Sequence, residues 1–98
     1  MPKMSESYTF HSDPGHGWLA VPIDEVTQLG LAISNYSYTD GATVYLEEDL
    51  DATAFLNAYE EVTGTRPFIG TMRYDSDAPC RSMTRWRNST KKRGAYYE

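Results

Sequence analysis

Residues 34–47, SNYSYTDGATVYLE, decide the fold class. Apolar and polar positions alternate on either side of Asp40-Gly41, the residue pair preferred by a two-residue type I′ loop, so the stretch reads as a β-hairpin. A two-residue loop also fixes the register. Thr39 faces Ala42, Tyr38 faces Thr43, Ser37 faces Val44, and Tyr36 faces Tyr45 as an aromatic cross-strand pair. The hairpin is expected to run from Ile33 to Glu48. Directly after it, Ala52, Phe55, Leu56, Tyr59 and Val62 recur at helical spacing. Asp49 or Asp51 stands where an N-cap belongs, and Gly64 follows as a stop. A hairpin running straight into an amphipathic helix implies a helix laid across a sheet.

Upstream, Ser7 to His11 and Gly17 to Val21 read as two short strands, with Tyr8 and Phe10 on one face of the first. DPGHG between them is a corner: Pro14 presets φ, Gly15 tolerates positive φ, and Asp13 caps its own turn through its side chain. Pro22 opens a short helix, IDEVTQL, with Asp24 and Glu25 in the first turn, where the helix dipole favours negative charge. Gly30 ends it, and Ile23, Val26 and Leu29 face inward. RPFIGTMRY (66–74) alternates as a last strand, and from Asp75 the apolar periodicity fades. The fold class is therefore α+β: a small antiparallel sheet with one main helix packed on it and one short helix. Residues 1–80 form the single domain, and residues 81–98 a basic C-terminal tail.

Ninety-eight residues give room for one core, and eight Tyr, three Phe and two Trp make much of that core aromatic. No apolar run is long enough to span a bilayer, the N-terminus lacks the apolar region of a signal peptide, and Cys80 is the only cysteine. These features predict a soluble, non-secreted protein of a reducing cytoplasm. The net charge of −5 conceals a division. Residues 1–65 carry eleven acids against Lys3 alone, whereas residues 66–98 carry eight bases against three acids. Such asymmetry marks an interaction face, a tail, or two halves that neutralise each other on folding.

Three groupings bear on chemistry. His11, Asp13 and His16 are residue types that bind zinc or non-haem iron, though without the i, i+4 scaffold of a helical site. The run EEDLD (47–51) passes at once into helix and lacks the central glycine of a calcium loop, so it reads as a dipole-matched helix start. Arg81, Arg85, Arg87, Lys91, Lys92 and Arg93 surround Trp86, a pairing of cations and aromatic surface that suits single-stranded nucleic acid. DPGHG lacks the lysine of a phosphate loop, and Cys80 has no oriented base beside it in the sequence.

DPGHGWLAVP, SYTDGATVYLEEDLDATAFL and RYDSDAPCRS together resemble a family of small, largely uncharacterised proteins of phages, plasmids and proteobacteria, over roughly residues 8–85. The resemblance implies mobile-element cargo in a bacterial host cytoplasm and supplies no catalytic residue. By analogy with small phage proteins that block host machines, the leading expectation is a non-catalytic, anti-defence (anti-CRISPR-type) inhibitor, not an enzyme. Its partner would be a host protein or nucleoprotein complex such as a CRISPR or other defence nuclease, and no cofactor or metal is assigned. The contact surface would comprise Asp24, Glu25, Glu47, Glu48, Asp49, Asp51, Glu60 and Glu61 with Tyr36, Tyr38 and Tyr45, because acids complement basic channels and tyrosine gives stiff contact area. The alternatives are a nucleic-acid accessory protein using the basic tail, and a small metal-dependent hydrolase using His11, Asp13 and His16.

Overall fold

The computed structural model describes residues 4–87. In chain order these form β1 (Ser7–Ser12), β2 (Gly17–Pro22), α1 (Ile23–Gln28), β3 (Tyr38–Thr39), β4 (Thr43–Glu47), α2 (Asp51–Thr63), β5 (Phe68–Arg73), a 3-10 turn (Pro79–Ser82) and β6 (Thr84–Arg85). The α+β class holds. The strands make one sheet in the order β5-β1-β2-β4-β3-β6. Every neighbouring pair is antiparallel except β1 and β5. The sheet is thus mostly antiparallel, with one parallel pair that the sequence did not indicate. α2 carries the chain from β4 back to the far edge, so β5 arrives running in the same direction as β1, as helical crossovers do.

Strand alternation sorts the side chains onto two faces. Tyr8, Leu19, Val21, Val44 and Leu46 point to one side, where Val26 of α1, Ile33, and Ala52, Phe55 and Tyr59 of α2 close the main core. Tyr8 meets Phe55 edge-on at 5.3 Å and Tyr59 at 5.9 Å between ring centroids. The opposite face buries Trp18 and Tyr38 against Ala78 and Cys80, with Tyr45, Tyr74 and Met83 packed around them. The segment after Asp75 is thus a second covering layer. The expected boundary between residues 80 and 81 falls inside the 3-10 turn. Beyond it β6 pairs with β3, and the Trp86 N–H donates to the Ser37 carbonyl at 2.8 Å. Lys91, Lys92 and Arg93 lie outside the described residues.

The central hairpin departs from the expected register. Tyr38 pairs with Tyr45 and Thr39 with Val44, and β4 begins at Thr43, so three residues, Asp40–Ala42, stand between the strands. Asp40 is the cause. Its Oδ1 accepts the N–H of Ala42 and of Thr43, both at 2.9 Å, its own N–H donates to the Thr43 carbonyl, and Gly41 takes a φ of 100°. The β1–β2 corner has the same construction, with Asp13 Oδ1 accepting Gly15 and His16 and the Asp13 N–H donating to the His16 carbonyl at 2.9 Å. The shift conserves facing, because moving a partner by two residues keeps it on the same side of the sheet. Tyr45 keeps an aromatic partner, and Tyr36, the one expected, stands 63% exposed.

Asp51 shortens the first strand of the hairpin. It is the first residue of α2, yet it makes no helix cap: its Oδ2 accepts the hydroxyls of Ser34 and Ser37 at 2.6 Å each, and its carboxylate also takes the Ser34 N–H. Ser34–Ser37 is thereby folded into a turn, and only Tyr38–Thr39 remains as strand. Gly17 is required sterically, since a Cβ there would sit 2.2 Å from Cζ of Phe10.

The register correction reverses the ranking of two tyrosines. Tyr38→Ala is expected to destabilise by about 3 kcal/mol, as for a buried aromatic, and Tyr36→Ala by less than about 0.5 kcal/mol. Urea denaturation of the two variants checks this. The opposite order would restore the two-residue loop.

Candidate functional site

A recess of about 460 Å³ opens on the sheet face away from the helices, lined by His16, Trp18, Tyr36, Tyr38, Glu47, Asp49, Leu50, Arg81 and Arg85. Its construction starts at the β1–β2 corner. Asp13 spends Oδ1 on the turn and directs Oδ2 to the far end of the chain, accepting the Ala78 N–H at 2.8 Å and Arg81 Nε at 2.6 Å, while Arg81 Nη2 reaches Oδ1 at 3.0 Å. Gly15 makes room, because a Cβ there would approach Arg81 Nη2 to 2.8 Å. The absence of a side chain matters here, not the positive φ that the sequence suggested: Gly15 is not among the glycines of positive φ. So held, the Arg81 guanidinium lies 4.8 Å from the centroid of the Trp18 ring. Arg85 lies 5.1 Å over Tyr38, with Nη1 donating to the Asn35 carbonyl. The indole N–H of Trp18 is buried and has no hydrogen-bond partner among the described residues.

The opposite wall is acidic. Glu47 is buried at the end of β4, accepting the N–H of Asp49 and of Leu50 at 2.9 Å and His16 Nε2 at 2.8 Å. Burial works against its charge, but these donors outweigh burial and leave its carboxyl below the ordinary range. His16 Nδ1 lies 3.5 Å from Glu48, and the His16 ring meets Trp18 edge-on. Asp49 and Leu50 stand exposed and line the recess together with Tyr36, also exposed.

The expected site residues are thus redistributed. Tyr36, Tyr38, Glu47 and Asp49 from the acidic and tyrosine set meet Arg81 and Arg85 from the basic set in one recess. Asp24, Glu60 and Glu61 are exposed elsewhere, Glu60 paired with Arg66 at 2.9 Å, while Glu48 is exposed beside His16 and outside the lining. Glu25, Glu47 and Asp51 are corrected from contact residues to buried structural ones. Glu25 accepts hydrogen bonds from the Tyr8 hydroxyl and from the N–H and hydroxyl of Ser5, which spend its acceptors inside the fold. Tyr45 is half-buried against His11. Of the basic set, Trp86 packs on the main core and Arg87 is exposed.

The trio His11, Asp13 and His16 is not assembled. Asp13 is committed to Arg81, and His11 stacks on Tyr74 and shares a hydrogen bond with its hydroxyl at 2.9 Å, while burial lowers its pKa. His16, Glu47 and Asp49 instead bring ligating atoms within 4.8 Å of one another, but Glu47 already serves two backbone N–H groups and His16. Cys80 is buried, and desolvation together with nearby Asp13 pushes its thiol up to about 11, so it is protonated at neutral pH. Trp18 and Leu50 also line the recess and were not among the expected site residues; a leucine set within the acidic run 47–51 was the signal for the second.

Scanned against protein-family models, curated proteins and solved structures, the chain matches none. No helix among the described residues is long and apolar enough to cross a membrane.

The Asp13 clamp gives the fold a measurable acid sensitivity. The hydrogen bond from Arg81, then those from Ala78, Gly15 and His16, hold the Asp13 carboxyl far below the usual carboxylate range. A depressed folded-state pKa contributes stability that is present above the unfolded value of about 3.9 and is lost as pH falls below it. Between pH 5 and pH 2 the wild type should therefore lose stability more steeply than Asp13→Asn, which has no proton to take up there. Urea midpoints at four or five pH values check this, and parallel curves would contradict it.

Proposed function

We propose that this chain is a non-catalytic binding protein whose working surface is the recess over Trp18 and Tyr38, and that its partner is a host protein or nucleoprotein complex. The observation that carries the reading is the rim. Tyr36 at 63% and Leu50 at 56% exposure flank a buried aromatic floor, with Asp49 and Arg85 supplying opposite charges beside them. Buried anchors ringed by polar groups are how protein interfaces concentrate binding energy, and tyrosine, tryptophan and arginine are the residues enriched there.

An anti-defence inhibitor is the form of this function implied by the sequence resemblance, and the exposed acids Glu48 and Asp49 give it a physical basis, since they complement a basic nucleic-acid channel. Direct binding of nucleic acid is less favoured. Arg81 is already neutralised by Asp13, which leaves Arg85 as the recess cation free of a carboxylate partner among the described residues.

Pull-down from a host lysate with and without nuclease tests the proposal. A partner retained after nuclease treatment should be lost with Tyr36→Ala or Leu50→Ala, each weakening affinity by roughly tenfold or more, about 1.4 kcal/mol. Both side chains are exposed, so the variants should fold as the wild type does. Capture that disappears with nuclease, or that ignores both substitutions, would refute the assignment of the recess.

A further inference from the structure

The sheet ends at β5, and that edge carries an exposed apolar concentration: Phe68 is 75% exposed, Met72 50% and Ile69 36%. Long exposed apolar edges are templates for further strand pairing, and folded proteins normally blunt them with charge, proline or a bulge. Here Pro67 and Arg73 bound the strand, and among the described residues nothing covers its centre.

We propose that β5 pairs with β5 of a second copy, antiparallel about a two-fold axis through Gly70. Two conditions restrict the two-fold axis to pass through a residue, and the apolar contact then selects Gly70. The first is the direction of the backbone groups. The Phe68 N–H donates to the Glu6 carbonyl and the Tyr74 N–H to the Ser12 carbonyl, so residues 68, 70, 72 and 74 turn their amides toward β1. Alternation then turns Ile69, Thr71 and Arg73 outward, and these must form the hydrogen-bonded pairs of any added strand. The second is the facing of the side chains. Phe68, Gly70 and Met72 lie beside Ser7, Thr9 and His11, on the face opposite the Tyr8 core, with Ile69 and Thr71 on the other. Directly paired residues of antiparallel strands share a face.

Centring on Gly70 meets both conditions. Ile69 pairs with Thr71 of the second copy and exchanges both hydrogen bonds, and the Arg73 N–H reaches the carbonyl of the second copy's Pro67, which has no amide to return, so this outer pair makes one bond. Phe68 meets Met72 in the non-hydrogen-bonded position, where side chains approach most closely, a sulfur–aromatic contact repeated by the symmetry. Gly70 falls opposite itself, with no heavy atom within 4 Å of where its Cβ would be. Centring on Ile69 or Thr71 would instead set Phe68 or Met72 against Gly70 and waste the apolar contact. The pairing closes on itself, so it gives a dimer and not a fibre.

The consequence for binding follows from geometry. The recess lies on β2, β3 and β4, away from β5, on the face that a two-fold axis perpendicular to the sheet keeps common to both copies. The dimer would present two open recesses side by side, a bivalent surface.

Light scattering coupled to size exclusion, on the full chain, tests this together with disulfide trapping. The wild type should be a dimer at micromolar concentration. Thr71→Pro removes an outward amide from each copy and Met72→Lys removes the apolar contact; each should weaken dimerisation on the order of tenfold or more with unchanged circular dichroism. Gly70→Cys should crosslink under mild oxidation well ahead of Thr71→Cys, because only position 70 meets itself at a separation a disulfide can bridge. A wild type that stays monomeric at hundreds of micromolar, even one that takes up an extended peptide, overturns the proposal. A dimer indifferent to both substitutions, or equal crosslinking at 70 and 71, does so too. Dimer loss tested apart from Tyr36→Ala leaves the recess assignment standing or falling on its own evidence.

Discussion

The Asp13 carboxylate gathers donors from two parts of the chain 65 to 68 residues apart, and the second face of the sheet depends on it. One oxygen takes the amides of Gly15 and His16 and so shapes the β1–β2 corner; the other takes Ala78 and Arg81 and so anchors the C-terminal segment. Charge-assisted hydrogen bonds with a guanidinium are strong when partly buried, and Asp13 is 8% exposed. Released from it, Ala78 and Cys80 would have no fixed position over Trp18 and Tyr38. A sheet with only one face covered would leave those rings to water.

The same contact produces the recess. Arg81 lies over Trp18 because Asp13 holds it there, and the chain then continues into β6, which sets Arg85 over Tyr38. Glu47 does the parallel work on the acidic wall by fixing His16 and the turn that exposes Asp49 and Leu50. Glu25, Glu47 and Asp51 are acids engaged in building the fold, which leaves Glu48 and Asp49 to face solvent next to the recess. The acidic character of the chain is therefore partly architectural and partly a surface property. Binding would rest on Tyr36 and Leu50, with exposed charge steering the approach.

The sequence carried both helices, the strands as far as β5 and the α+β class because periodicity and punctuation report local structure: Gly30 and Gly64 end their helices with positive φ. It misjudged the hairpin because Asp-Gly has two uses. As a type I′ pair it makes a two-residue loop, but Asp40 acts as Asp13 does, taking two amides and lengthening the loop to Asp40–Ala42. The Asp13 corner, with proline after it, was recognisable as such a turn, whereas its bond to Arg81 was not, since nothing local links the two positions. The division of charge between the halves of the chain was the one hint, and mutual neutralisation is what Asp13 and Arg81 achieve. The parallel placement of β5 was hidden for the same reason: a crossover is a property of packing, not of the strand.

The claim that one carboxylate attaches the second layer is tested most directly by native-state hydrogen exchange on the wild type and Asp13→Ala, which removes both acceptor oxygens. The account predicts that the variant loses protection at Gly15, His16, Ala78, Arg81 and the Trp86 amide together, while amides within α2 and between β2 and β4 keep theirs. Retained protection at Ala78 and Trp86 in a variant that has lost it at Gly15 and His16 would contradict the account. The C-terminal segment would then be held by packing on Trp18 and Tyr38, and Asp13 would be no more than a turn residue.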